Sequence, residues 1–160
     1  MRLLKRARSF CETGASERRI FVETAALSVF VFAGFRIAGV SRTQAYLRRW
    51  AVLRARQGVE FQLSLAEEGR IVECATRSQS RLSRLVGNRG TCLERSFALW
   101  AVLLKRGVST DLKIGFRKTD RIEGHAWIEH RGFPINELSA IVSDYETSQG
   151  SMHFDKWRPT

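Results

Sequence analysis

Cysteine is scarce in this chain, long apolar runs are missing and acidic residues are outnumbered. The 160 residues contain three cysteines, Cys11, Cys74 and Cys92. Their odd number, wide spacing and lack of a C-x-x-C pair exclude a disulfide framework and a structural zinc site. Such usage suits a reducing compartment, and a cytoplasmic location is expected. The most apolar stretch, Thr24 to Phe35, is about a dozen residues against the roughly 20 that cross a bilayer, and Arg36 closes it. It is expected as a buried core helix, with membrane contact through it and the basic first residues as the lesser alternative. The basic start, Met1 to Arg8, is interrupted by Glu12, Glu17, Arg18 and Arg19 before any apolar core begins, so no cleavable export signal is expected. With 16 acidic residues against 27 basic ones the net charge is +11, a field that favours acidic partners. The arginines are scattered over helical stretches and no nucleic-acid motif accompanies them, so nucleic acid is not the expected partner. No cofactor or metal site is expected either.

What is present is an ordinary globular composition, 44% hydrophobic, long enough to bury a core. The expectation is one domain over residues 1–160, with a helical part at 1–87 and a helix plus antiparallel sheet at 88–160. Residues 18–38 carry apolar side chains almost all round (Ile20, Phe21, Leu27, Phe30, Val31, Phe35), as a helix buried on several sides would. Gly39 ends it, and Ser41 offers the cap for a second helix in which Tyr46, Leu47, Trp50 and Leu53 recur at three- and four-residue steps until Gly58. A third helix is expected from about Ser64 to Arg77, reaching towards Leu85, with Leu65, Ile71, Val72 and Ala75 inward. Cys74 inside it reads as packing. Gly87, Asn88 and Gly90 form a turn cluster.

The most telling stretch follows. Thr91 precedes Glu94 by the three residues of a capping box, in which a hydroxyl and a carboxylate reciprocally satisfy orphan backbone N–H groups. Cys92 then falls in the first turn, where a thiolate meets the positive end of the helix dipole, as a nucleophile requires. The helix continues through Phe97, Trp100, Ala101 and Leu104, a stripe buried along one side, and stops at Gly107. Next, Leu112, Ile114 and Phe116 alternate with charged residues as a half-buried strand. A hairpin follows: Gly124–Glu129, the turn His130-Arg131-Gly132, then Phe133–Leu138.

A three-residue turn with glycine at its bulge pairs Glu129 with Phe133 and His125 with Glu137. The carboxylate then stands one strand gap from the imidazole, with Cβ atoms about 4.5 to 5.5 Å apart. A two-residue turn would instead place Asn136 or Leu138 opposite His125. Cys92, His125 and Glu137 are thus the parts of a Cys-His-acid triad: nucleophile, general base and orienting carboxylate. Asp120 and Asp144 are alternative acids. Asn88 is the candidate side-chain oxyanion donor, beside the Cys92 amide, and is otherwise a turn former. Trp127 either walls the substrate cleft or belongs to the core. His130 in the turn and His153 in the polar tail are expected in solvent. Ile141, Val142 and Tyr145 could add a short strand or turn against the sheet.

Cys92-Leu93-Glu94-Arg95-Ser96-Phe97-Ala98-Leu99, the Leu103–Gly107 helix end, Leu112–Arg117, His125-Ala126-Trp127-Ile128-Glu129 and Gly132–Glu137 together resemble the stand-alone leader peptidases of lasso-peptide biosynthesis. The resemblance implies an α+β, transglutaminase-like (papain-like) cysteine protease fold, with N-terminal helices packed on a small antiparallel sheet and the nucleophile at a helix N-terminus. It also implies Cys92 and His125 as the catalytic pair and Glu137 at the family's acidic position. The substrate it implies is a ribosomally made precursor whose leader is removed, with a separate leader-binding protein as partner and a lasso cyclase consuming the freed amine. The alternative reading is a non-catalytic transglutaminase-like or basic module that binds an acidic peptide or nucleic acid.

Overall fold

A computed structural model describes residues 14–56, 63–87 and 90–147, the side chains of 48 and 51–56 excepted. Cys11, Gly58, Asn88, His153 and the polar run at 148–151 lie outside the described residues. Four helices come first: α1 (Ala15–Ile37), α2 (Val40–Arg56), α3 (Leu65–Leu85) and α4 (Cys92–Lys105). Strands β1 (Asp111–Lys118), β2 (Ile122–His130) and β3 (Phe133–Pro134), a one-turn helix α5 (Ser139–Val142) and strand β4 (Glu146–Thr147) complete the chain. The sheet is antiparallel in the order β3-β2-β1-β4. This is the α+β, papain-like arrangement of helices against a small antiparallel sheet.

α4 is the central element. The sequence pattern suggests burial along one side, but every residue from Ser96 to Leu103 is buried, because α1 and α3 pack on one side of the helix and the sheet on the other. Phe97 and Trp100 sit in this core, edge-on to each other, with Phe35 of α1 edge-on to Phe97. Glu23 of α1 binds the far end of α4, pairing with Lys105 Nζ at 3.0 Å and Arg106 Nη2 at 2.8 Å. Burial pushes the Glu23 carboxyl up, but the two cations outweigh it and hold it below the ordinary glutamate range. Cations at a helix C-terminus also suit the negative end of its dipole.

The remaining helices depart from expectation in informative ways. α1 is longer than the apolar stretch that predicts it, and at 23 residues it is long and apolar enough to cross a bilayer by length and composition. Nor is it buried all round: Ile20, Thr24 and Val31 are buried, while Val22, Val29 and Ile37 are exposed. α2 starts at Val40, so Ser41 lies inside it rather than capping it. α3 has Ser64 as its N-cap, in a full box with Glu67, yet Leu65 points to solvent because the first residue after the cap faces away from α1 and α4. In β1, Leu112 is buried and Phe116 exposed.

The hairpin differs most. Its turn has two residues, Arg131 (φ 54°) and Gly132 (φ 81°), so His130 pairs with Phe133 and Glu129 with Pro134. Consecutive positive φ values are the signature of a type I′ turn, whose twist matches the flanking strands. The three-residue register is therefore replaced by the two-residue one, and β3 ends after two residues rather than running to Leu138. His130 is not in solvent: it is half-buried, its Nδ1 3.1 Å from the Ser109 carbonyl and its Nε2 3.7 Å from Glu68.

Candidate active site

The local sequence builds the helix start as expected. The Glu94 amide donates to Thr91 Oγ1 (3.2 Å) and the Thr91 amide donates to Glu94 Oε2 (2.7 Å). Glu94 is only 7% exposed, and Arg36 of α1 donates to its Oε1 at 2.7 Å. Burial raises the Glu94 carboxyl, but the Thr91 amide and hydroxyl and the Arg36 guanidinium outweigh it and hold it below the ordinary glutamate range. The box engages the amides of Thr91 and Glu94, which leaves those of Cys92 and Leu93 at the start of the helix unused by it. Cys92 is a free, half-buried thiol.

His125 is held on β2 by its surroundings on three sides. Its Nε2 lies 3.1 Å from Glu137 Oε2, so a ring N–H there donates to the carboxylate. Trp127 stacks against it (6.2 Å between centroids, 21° between planes), and the Tyr145 ring is 5.2 Å away. Its partner across the β1–β2 ladder is Gly115, where a Cβ would lie 2.9 Å from both Trp127 Cη2 and Tyr145 Cβ. Only glycine lets these two rings close behind the histidine.

The His125–Glu137 pair forms although the strand register does not place the two opposite each other. After Pro134 the chain leaves the strand, and Asn136 fixes its path: the Ile128 amide donates to Asn136 Oδ1 (2.7 Å), and Asn136 Nδ2 donates to Ser96 Oγ (3.0 Å). Ser96 in turn donates to the Ala126 carbonyl (2.8 Å). Ser96 lies one turn along α4 from Cys92, on the same face. This relay joins the helix of Cys92, the strand of His125 and the loop of Glu137.

Cys92, His125, Glu137, Ser96 and Asn136 line one cavity of about 270 Å³. Trp127 is not among its walls; it is buried behind the histidine, its Nε1 donating to Glu129 Oε1 at 2.9 Å. Asp144 pairs with Arg117 at 3.7 Å, so Glu137 is the acid that the histidine meets. Asn88 lies outside the described residues. Among the described residues no group of three His, Cys, Asp or Glu side chains is placed to hold a metal ion. Ser96, Asn136 and Tyr145 were not legible as site residues. Each works through a partner distant in the chain, and the only local hint was their place within or just beyond the segments that resemble the peptidases.

The arrangement has the parts of nucleophilic acyl chemistry: a thiol at a helix start, an imidazole oriented by a carboxylate, and the Cys92 and Leu93 amides, which the capping box does not engage. A family model described as the transglutaminase-like superfamily matches residues 31–149, which is 119 of the 160 residues. No curated protein and no solved structure matches the chain.

Proposed function

The chain belongs to the transglutaminase-like superfamily, which includes cysteine peptidases, and from that premise we propose that it removes the leader from a ribosomally made lasso-peptide precursor. The observation that supports the catalytic part is the shared cavity, lined by Cys92, by His125 and by the Glu137 to which His125 is bonded. The choice of substrate rests on the resemblance of residues 91–138 to the leader peptidases.

In this reading Nε2 of His125 is committed to Glu137, so Nδ1 takes the proton from Cys92 Sγ. The thiolate attacks the carbonyl carbon of the last leader residue. The resulting oxyanion faces the amides of Cys92 and Leu93 at the positive end of α4. The imidazolium returns the proton to the leaving nitrogen, the C–N bond breaks, and the core peptide departs with a free amine. Water, deprotonated by the same ring, then hydrolyses the leader thioester and restores the thiol. Glu137 stays ionised and holds the ring's orientation.

The proposal includes a cytoplasmic setting, a leader-binding protein acting in trans and a cyclase that consumes the new amine. It involves no nucleic acid and no cofactor. To test it, the protein, a leader-binding protein and a lasso-peptide precursor are incubated and followed by mass spectrometry, with Cys92→Ala in parallel. Cleavage by the wild type and none by Cys92→Ala is expected. Cleavage that survives the substitution rejects the nucleophile, and a product joined to an added amine instead of hydrolysed reassigns the acceptor.

A further inference from the structure

An apolar groove adjoins the cavity and takes no part in the chemistry above. Ala25, Val29 and Phe32 of α1 line it together with Gln79 and Leu82 of α3 and Val86, the C-cap of that helix, each set spaced to stay on one side of its helix. Side chains on facing helices ordinarily interdigitate; here they enclose about 820 Å³, and Val29 stays 69% exposed. The groove does not end blindly. Gln79, Ser83 and Arg95 line both it and the cavity that holds Cys92.

A second observation is polar. Gln79, at the junction, is only 8% exposed, and its Oε1 has no hydrogen-bond partner among the described residues. The same holds for Ser28 Oγ in the groove and Thr76 Oγ1 in the catalytic cavity. Buried polar atoms are normally paired, and unpaired ones beside an opening are where a ligand supplies the missing partner. A helical ligand spends its own backbone N–H groups internally, whereas an extended chain presents them outward.

We infer that this groove receives apolar residues of the peptide substrate adjoining the cleaved bond. The peptide is held extended, and a rotation of the Gln79 side chain brings its buried, unpaired Oε1 to accept one of the peptide's backbone N–H groups where it passes into the catalytic cavity. The identity of the occupant rests on the peptidase reading above. The groove's walls are apolar and its end is shared with the nucleophile, so its selectivity is for side chains near the cut, separate from recognition of the leader by a partner protein.

The test places the photo-cross-linker p-benzoylphenylalanine at position 29 of the Cys92→Ala protein, adds the precursor and leader-binding protein, and maps the cross-links by mass spectrometry. Links to precursor residues adjoining the cut are expected. Links only to this chain's residues 1–13, to a second copy or to the leader-binding protein overturn the inference. In the active protein, Val29→Asp is expected to lower kcat/KM about tenfold or more through KM, and Gln79→Met to act in the same direction. Val29→Asp, which lies outside the Cys92 cavity, should leave the rate at which iodoacetamide alkylates Cys92 unchanged. Unchanged kcat/KM in a folded Val29→Asp protein also overturns it. If the wild type leaves the precursor intact while position 29 still cross-links to it, the peptidase reading fails and the peptide site stands. If the precursor is cut but no such links form, the peptidase reading stands and the groove assignment fails. Neither cutting nor links removes both.

Discussion

Cys74 and Cys92 are both free, half-buried thiols on helices, and they stand in different surroundings. Cys74 sits in the middle of α3, where the helix's own bonds consume the backbone N–H groups. Burial, and then the Glu17 carboxylate 3.7 Å from its sulfur, push its thiol up. Cys92 stands in the first turn of α4, at amides that the capping box leaves unengaged, and it lines one cavity with His125, which Glu137 orients. A cap alone does not make this difference. Ser64 and Glu67 build the same box at the start of α3, yet the residue after that cap, Leu65, is 69% exposed and faces nothing. The start of α4 has walls: Arg36 closes over Glu94, and β2 brings His125 across. What separates the two sites is the enclosure rather than the residue type or the cap.

The contrast between the two thiols is tested most directly at the sulfurs. Cys92→Ala is expected to lower precursor cleavage by at least about 10⁴-fold, while Cys74→Ser leaves it unchanged; the two rates measured side by side decide the assignment. Glu137→Gln should keep the geometry but lose the orienting charge, at a cost of about 10³ to 10⁴ in kcat. Asp144→Asn and Asp120→Asn should leave kcat where it was, and a loss at either one would move the acid elsewhere.

Asn136→Ala removes the clamp that sends Glu137 to the histidine. A misplaced triad of this kind is expected to cost about 100-fold, in kcat rather than KM, with the protein still folded by circular dichroism. An equal loss in KM would show that Asn136 touches substrate instead.

The two capping boxes differ in stability rather than rate. Glu94→Gln is expected to cost about 1–2 kcal/mol in urea unfolding at neutral pH, and Glu67→Gln, on an exposed box, much less. The Glu94 carboxyl is held low in the folded state, so its contribution is complete above the ordinary glutamate range and fades as the pH falls through the lowered value. The wild type and Glu94→Gln should therefore converge in acid; a gap that persists there would assign the loss to packing. The smallest effect concerns Cys74. Glu17→Gln in a Cys11→Ser background should bring its alkylation by iodoacetamide in at a lower pH, because a raising influence on that thiol is gone.

Much of the site was legible because it is local. Thr91 to Glu94 is four consecutive residues, and a capping box needs no distant partner to be recognised. His125 and Glu137 were paired by a register that the hairpin does not adopt: Arg131 takes a positive φ that pattern reading reserves for glycine, so the turn is one residue shorter. The pair survives because β3 stops at Pro134 and Asn136 turns the chain. That step depends on Ser96, 40 residues away, and no local pattern encodes it. The same holds for Gln79, a polar residue on a helix whose meaning comes only from the two cavities it separates.

Sequence alone determined most of the elements and pointed to Cys92, His125 and Glu137 as the candidate group, since caps, helical periods and strand alternation are written in residues near one another. Tertiary structure set the enclosure: α4 buried on all sides, a histidine backed by Trp127 and Tyr145 over Gly115, and a groove left where α1 and α3 do not close. Those depend on contacts between distant segments, whose geometry is set by how side-chain volumes fill the space between layers, and that quantity cannot be read along a single strand or helix.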